Sequence, residues 1–264
     1  MSDMEARRAA ADDRGDGSAG DASAPLPRWV QVEKGMLSRL LFPNPVCLLS
    51  TQDETTGARN VMTITWLTPI NNQGGFICSM NRNRHSATFV NRIGAHFVLN
   101  IPVAGMEETV LAIGGCSGAS VDKFAELRLR TCRPGALVAP AVDAEDVKQS
   151  LSKKQKLSKQ ELSRQAIQRA AASSVALEDC VAHVLCEVLR IEEDDGHLLL
   201  RCTQLAGWCR EDYWDGRNLM PRSTTAPPYL TFLGSKVFGY VCAQPSSEPQ
   251  ASSEPQPSSE PVPM

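Results

Sequence analysis

The sequence predicts a mainly β fold, a closed barrel of short strands with a few short helices around it. Runs rich in β-branched and aromatic residues recur across residues 28–242, bounded by turn residues. The helical stretches between them are brief, and strand follows strand without the long amphipathic helices that cross over a parallel sheet. A segment of that length can bury a substantial core.

In chain order, residues 1–27 come first. They are rich in Ala, Asp, Gly and Ser with almost no large apolar side chain, so burial cannot offset ordering entropy and disorder is expected. Residues 32–41 read as a lead-in helix stopped before Pro43, and residues 46–51 as the first strand. A polar turn at 53–57 leads to a second strand at 60–66, carrying Val61, Thr63, Ile64 and Thr65. After a loop at 69–75 come a third strand at 75–80, a short helix at 86–93 and a fourth strand at 95–101 ending at Pro102. Residues 106–113 read as a helix with Gly114 and Gly115 as its C-cap, and residues 121–129 as another short helix. Two long strands, 175–191 and 197–205, flank an acidic turn whose Asp195-Gly196 pair is a hairpin signal.

Residues 143–173 interrupt this pattern. From Val147 to Ala172, the seven bases Lys148, Lys153, Lys154, Lys156, Lys159, Arg164 and Arg169 stand against the single acid Glu161, in a composition that favours helix. The segment reads as an inserted surface helix or helix pair, either a solvated insertion or a docking surface for an acidic protein partner. Residues 243–264 carry the repeat SSEPQA, SSEPQP, SSEPVP, whose prolines block helix and sheet ladders. This tail is expected to be a disordered spacer, with phosphorylation of its serines as the alternative.

Composition excludes several classes. Of 264 residues, 27 are basic and 30 acidic, a net charge of −3, which argues against a nucleic-acid partner. No apolar run approaches the roughly 18 residues of a membrane span. The N-terminus lacks an apolar signal core and is rich in acids, unlike a mitochondrial presequence, so a cytoplasmic protein is expected. Nine cysteines without a C-x-x-C read as reduced thiols in and near the core, disfavouring a disulfide scaffold and a zinc site. The four histidines are scattered, and no metal centre is expected. The one G-x-G-x-x-G run, Gly15 to Gly20, lies in the low-complexity N-terminus with no strand before it, and reads as chance.

Three constellations remain. In the strand at 60–66, Met62, Ile64 and Trp66 share one face while Val61, Thr63 and Thr65 share the other, so hydroxyls line one surface. Taken by itself, this strand fits an ordinary sheet with threonines on its polar face better than a binding surface. At residues 79–88 a strand ends and Arg82, Arg84 and His85 precede a helix start at Ser86, a candidate N-cap. That arrangement suits a phosphate monoester, or is simply a basic surface turn. At residues 114–124 a small-residue loop joins two helices, with Ser120 as a candidate cap. It permits close approach of a ligand, or serves as a connector.

Taken in order, these segments resemble the flavin reductase-like family, whose fold is the FMN-binding split barrel. The resemblance rests on Phe42-Pro43-x-Pro45-Val46, on residues 60–69, on Arg84-His85-Ser86 with residues 97–102, and on Ser117-Gly118 followed by Val121-Asp122-Lys123-Phe124. Residues 176–180 resemble the strand with which the family resumes, so the likeness spans Phe42 to Val241 outside the insertion. It implies a split β-barrel that binds FMN as a homodimer, with the flavin near the subunit interface. By position, Thr63 and Thr65 with the neighbouring Asn60 and Met62 would contact the ring or ribityl chain. Ser79, Arg84, His85 and Ser86, with Met80 and Asn81 between them, would hold the phosphate. Asn100 and the 122–124 loop would lie nearby, Lys123 as a second cation beside Phe124. Ser86 stands where a threonine is common and keeps the hydroxyl, while the basic insertion departs from the family, with covering or narrowing of a nicotinamide entrance as one role open to it. The implied reaction is hydride transfer from NADH or NADPH to flavin N5, with no catalytic side chain. The alternatives are an FMN-binding electron carrier or sensor, and an interaction protein on an emptied barrel.

Overall fold

The central strands of the main sheet, residues 47–52 and 96–101, are buried on both faces, between an inner and an outer core. The computed structural model describes residues 43–136 and 158–242, with Gln31, Glu33, Leu40 and Leu41. The expected N-terminal segment, most of the lead-in helix, residues 143–157 of the insertion and the C-terminal tail lie outside the described residues. Seven antiparallel strands form the main sheet: β2 (Cys47–Gln52), β3 (Arg59–Ile64), β4 (Leu67–Pro69), β5 (Gly75–Asn81), β6 (His96–Ile101), β9 (Ala182–Asp194) and β10 (His197–Cys209). Their order is β3-β2-β6-β9-β10-β5-β4. β3 and β4 are thus opposite edges, yet only Thr65 and Trp66 separate them in the chain. Three peptide steps bring those edges within about 11 Å of each other, and the Ser79 N–H donates to the Trp66 carbonyl at 2.9 Å. The sheet therefore curls into a barrel. This is why the strand expected at 60–66 stops at Ile64: the chain must leave one edge to reach the other.

Two smaller sheets complete the strands. β1 (Asn44–Pro45), β11 (Tyr229–Gly234) and β12 (Val237–Val241) form one, and β7 (Thr131–Cys132) and β8 (Ala176–Leu177) the other. The β9–β10 hairpin turns on Asp195 (φ +44°) and Gly196 (φ +73°), both in the left-handed region as a type I′ turn requires. The strand expected at 175–191 is two strands. The Leu177 N–H donates to Asn100 Oδ1 at 2.8 Å and the Val181 N–H to the Ile101 carbonyl at 3.0 Å, re-aiming the chain between them.

Along β2, Cys47 and Leu49 enter the barrel interior with Ile64, Phe76, Phe97 and Leu200. The intervening Leu48 and the adjacent Val46 face outward, against Val61, Val110, Ile113, Phe124 and Leu230. That second core packs α2 (Glu107–Gly115) and α3 (Lys123–Glu126) on the outside of β2 and β3. None of the nine cysteines is bonded to another; burial pushes the interior Cys47 and Cys202 thiols up to about 12.

The helices differ from expectation. The helix expected at 86–93 is one turn, α1 (Ala87–Val90), because the Gly94 N–H is drawn to the Val188 carbonyl at 2.8 Å and the chain joins β9. α2 runs through Gly114 and Gly115, so they are not its C-cap; that place falls to Cys116, which is extended. The helix expected at 121–129 is the single turn α3, capped by Asp122 and not Ser120, and ended by Arg128 at φ +50°. Of the insertion, α4 (Lys159–Ala172) is described. Ser158 and Glu161 form a capping box at its start, and Ile167 and Ala170 pack against Val98 and Leu185 of the barrel. Among the described residues no helix is long and apolar enough to cross a membrane.

Candidate functional site

Three chain segments far apart in sequence meet outside β3 around a cleft of about 410 Å³. β3 supplies Asn60, Met62 and Thr63; the turn before α1 supplies Asn83, Arg84, His85 and Ser86; the end of α2 and the loop to α3 supply residues 113–118 and Lys123. Local chemistry fixes each segment. The Thr63 hydroxyl donates to the Val110 carbonyl at 2.6 Å, tying β3 to α2. The loop turns back on the Ser117 carbonyl, which accepts from the backbone N–H groups of Ser120 and Val121. Asp122 then starts α3 by accepting from the Phe124 and Ala125 N–H groups at 2.9 and 3.3 Å. Arg59 lies over the Phe124 ring at 4.4 Å and 3.8 Å from the Asp122 carboxylate, bracing this turn from outside.

The polar groups are pre-oriented. The Asn60 amide donates to Ser86 Oγ at 2.8 Å, so the serine accepts from the protein and its own proton is left to donate. Ser86 has helical dihedrals and makes no capping bond, correcting its expected role as N-cap. The one-turn α1 is therefore no helix-dipole anion site; Ser86 contributes its side chain. Lys123 is 5% exposed and donates to the Ile113 carbonyl at 2.7 Å, using one of three protons. Burial first, opposed by Cys116 and reinforced by the Arg84 charge, holds its ammonium below the usual lysine value. Among the described residues, neither Arg84 nor Lys123 pairs with a carboxylate.

Of the residues singled out from sequence, Asn60, Met62, Thr63, Arg84, His85, Ser86 and Lys123 line this cleft. Thr65 lies in an adjoining compartment of about 320 Å³ that shares Thr63, Gly114 and Gly115 with it. Met80 is in the barrel interior, Phe124 in the outer core, and Ser79 and Asn81 are on β5 outside the cleft. Asn100 is fully buried and committed to the protein: its amide donates to the Leu48 carbonyl at 2.6 Å and Ser50 Oγ at 2.9 Å, and its carbonyl accepts from Leu177. Sequence reasoning did not single out Asn83, Ile113 or Cys116 as ligand contacts. The small residues from Gly114 to Gly118 were the available signal, and they form the wall opposite β3. At Gly118 a Cβ would overlap Asn60 Oδ1, so this close approach requires glycine.

Comparison with known proteins agrees with this architecture. Residues 37–147 match the model of the flavin reductase like domain. No curated protein matches the chain in sequence. Among solved structures, the fold is similar to that of flavoredoxin from Methanosarcina acetivorans, with 15% identity over 85% of this chain and 97% of that one and a TM-score of 0.57. An FMN-binding protein from Thermus thermophilus, solved with 1-cyclohex-2-enone, is 16% identical over 87% and 98% of the two chains, with a TM-score of 0.55. A Streptomyces globisporus NADH:FAD oxidoreductase is 12% identical over 83% and 100%, with a TM-score of 0.53. Residues 37–147 are thus similar to the flavin reductase like domain, and the curled antiparallel sheet shares its fold with flavoredoxin and the other solved structures.

Proposed function

We propose that the cleft binds FMN and that the protein is an NAD(P)H-dependent flavin oxidoreductase. The observation that carries this is the pair of cations, Arg84 and Lys123, turned to one cleft with no carboxylate partner among the described residues. Two like charges held together, one of them buried, are unfavourable unless an anion joins them. The residues fit a phosphate monoester: Arg84 offers a planar fork, Lys123 two unused protons, and Ser86 a hydroxyl proton. The side-chain-free wall at Gly114, Gly115 and Gly118 gives a flat ligand access to β3. Bound flavin supplies the hydride acceptor at N5. The chain's own part is to hold the phosphate, to orient the ligand along Thr63 and to present backbone rather than side chains to it. No acid–base pair is required of the protein.

We further propose a homodimer, the arrangement implied by the family resemblance, with the flavin near its interface; sedimentation analysis tests it. The primary test is spectroscopic. After incubation with FMN and removal of excess, a stoichiometric flavin band is expected, bleached rapidly by anaerobic NADH or NADPH. A retained band that neither donor bleaches would make the protein a flavin carrier or sensor. No retained band would overturn the tight FMN site.

A further inference from the structure

The outer edge of β10 is open toward its C-terminal end. β5 pairs with β10 only as far as Thr203, opposite Gly75, so residues 204–209 have β9 on one side and no strand on the other among the described residues. A groove of about 680 Å³ follows that edge and shares no lining residue with the cleft. The Gln204 N–H closes one end by donating to the Gly74 carbonyl at 2.8 Å, and an antiparallel bridge between Trp214 and Leu219 forms the other. Trp208 is set from behind: a Cβ on Gly135 would come within 2.6 Å of its ring, so bare backbone packs there. Trp214 is 44% exposed. Arg222 donates to the carbonyls of Trp214 and Glu211, each at 3.3 Å, and pairs with no carboxylate among the described residues. Asp215, which feels its charge, is committed to the N–H groups of Arg217 and Asn218 at 2.7 and 2.6 Å. The chain leaves the described fold close by. Val241 is the register partner of Tyr229, which packs on the same buried cluster, around Val181 and Tyr213, as Cys209 and Leu219 of the groove.

We propose that this open edge is covered by the chain's own repeat, a Glu-Pro unit of residues 246–263 docking extended in the groove with its proline against the tryptophans and its glutamate toward Arg222. Each proline of the repeat confines itself and the glutamate before it to extended backbone. In polyproline II form, with three residues per turn, a six-residue period is two whole turns. Pro249, Pro255 and Pro261 then fall on one face, and Glu248, Glu254 and Glu260 on another. Aromatic-lined grooves take such segments, whose carbonyls stay free to accept hydrogen bonds, here from the β10 edge and the indole N–H groups. Proline offers no N–H, so a covering segment of this composition does not pass the open edge on to a further strand. Reach is ample, since the seven residues from Cys242 to Pro249 extend about 22 Å. Tethering in the same chain supplies the high effective concentration that a short motif needs.

The test is amide relaxation by NMR on the full chain. Order parameters of the amides in residues 246–262 are expected above about 0.6, the upper bound for flexible backbone. Trp214→Ala, and separately the triple variant Pro249→Gly, Pro255→Gly and Pro261→Gly, should each drop them below that bound and speed hydrogen exchange of the outward amides in residues 205–209 about ten-fold. The triple variant alters nothing inside the described fold, so its loss of order has no other source than the repeat. Glu248→Gln, Glu254→Gln and Glu260→Gln together should lower the order partway; no change would overturn the Arg222 contact. Order parameters below about 0.6 in the unaltered chain would overturn the proposal, as would order that survives Trp214→Ala. Mixing the two variants separates the copies, because one keeps the repeat and the other keeps the groove. Order regained in the mixture would give the edge to the repeat of a second copy and overturn docking within one chain.

Discussion

Lys123 and Arg84 share the cleft on unequal terms, because the lysine is nearly inaccessible and the arginine lies at the edge of a turn. Burial lowers the lysine's proton affinity from the ordinary value of 10.5. The unfolded chain keeps that proton at pH values where the folded chain has released it, so through this window folding stability from Lys123 rises with pH. Anion binding runs the other way: the ligand needs the charged form, and its affinity should fall as pH climbs through the lowered lysine value. Lys123→Arg should move that fall to higher pH, a result readable from FMN titrations across the alkaline range. Arg84→Ala should weaken FMN by about 1.5–3 kcal/mol through loss of charge-assisted bonds; an unchanged titration would remove Arg84 from the site. Gly118→Ala tests the wall. Its methyl would push Asn60 off Ser86, and overpacking of this kind costs about 1–3 kcal/mol. A fall in both Tm and FMN affinity is expected, with Asn60→Ala in the same background restoring space but not the serine's orientation.

At the scale of elements, Asn100 links three strands, since it joins β6 to β2 and to β8 with every bond made to the protein. Asn100→Leu should therefore lower stability by about 1–3 kcal/mol, the cost of leaving buried partners unsatisfied, while FMN affinity stays unchanged. A selective loss of flavin binding with normal Tm would return Asn100 to the ligand. The strands most legible in the sequence were those whose β-branched runs end in strong turn chemistry, as at Asp195-Gly196. β11 and β12 were not foreseen because their turn is Ser235-Lys236, which carries no such signal. β4 falls between the strand expected at 60–66 and the loop expected from Pro69, and the proline at its end reads as a stop. Gly114 and Gly115 looked like a helix stop, but α2 continues because its flank is packed on β3, and tertiary contact outweighs a weak local propensity. The site was legible in its pieces and not in its assembly. Nothing local tells Asn60 that Ser86 and Gly118 will be its neighbours; the curl of the sheet and the packing of α2 decide that.

The whole chain carries a net charge of −3, yet its cleft presents two cations that pair with no carboxylate among the described residues. A local positive site on an acidic molecule focuses its field on small anions without making the surface attractive to nucleic acid. This separates the contribution of the phosphate from that of the ring, and it can be measured on the intact protein. A ligand that binds only the folded state stabilises it by about 2.7 kcal/mol at a hundred times its Kd. For a domain of this size each kcal/mol moves Tm by about 2–4 °C. FMN at that excess should raise Tm by about 5–11 °C on the same arithmetic. Riboflavin has the same ring and no phosphate, and at equal concentration should give a much smaller shift, because the charge-assisted bonds are each worth about 1.5–3 kcal/mol. Added salt should shrink the difference between the two ligands by screening whatever part of the cleft remains in contact with water. Equal shifts from FMN and riboflavin would mean that the ring alone is recognised, and that Arg84 and Lys123 are turned to the cleft for some other anion.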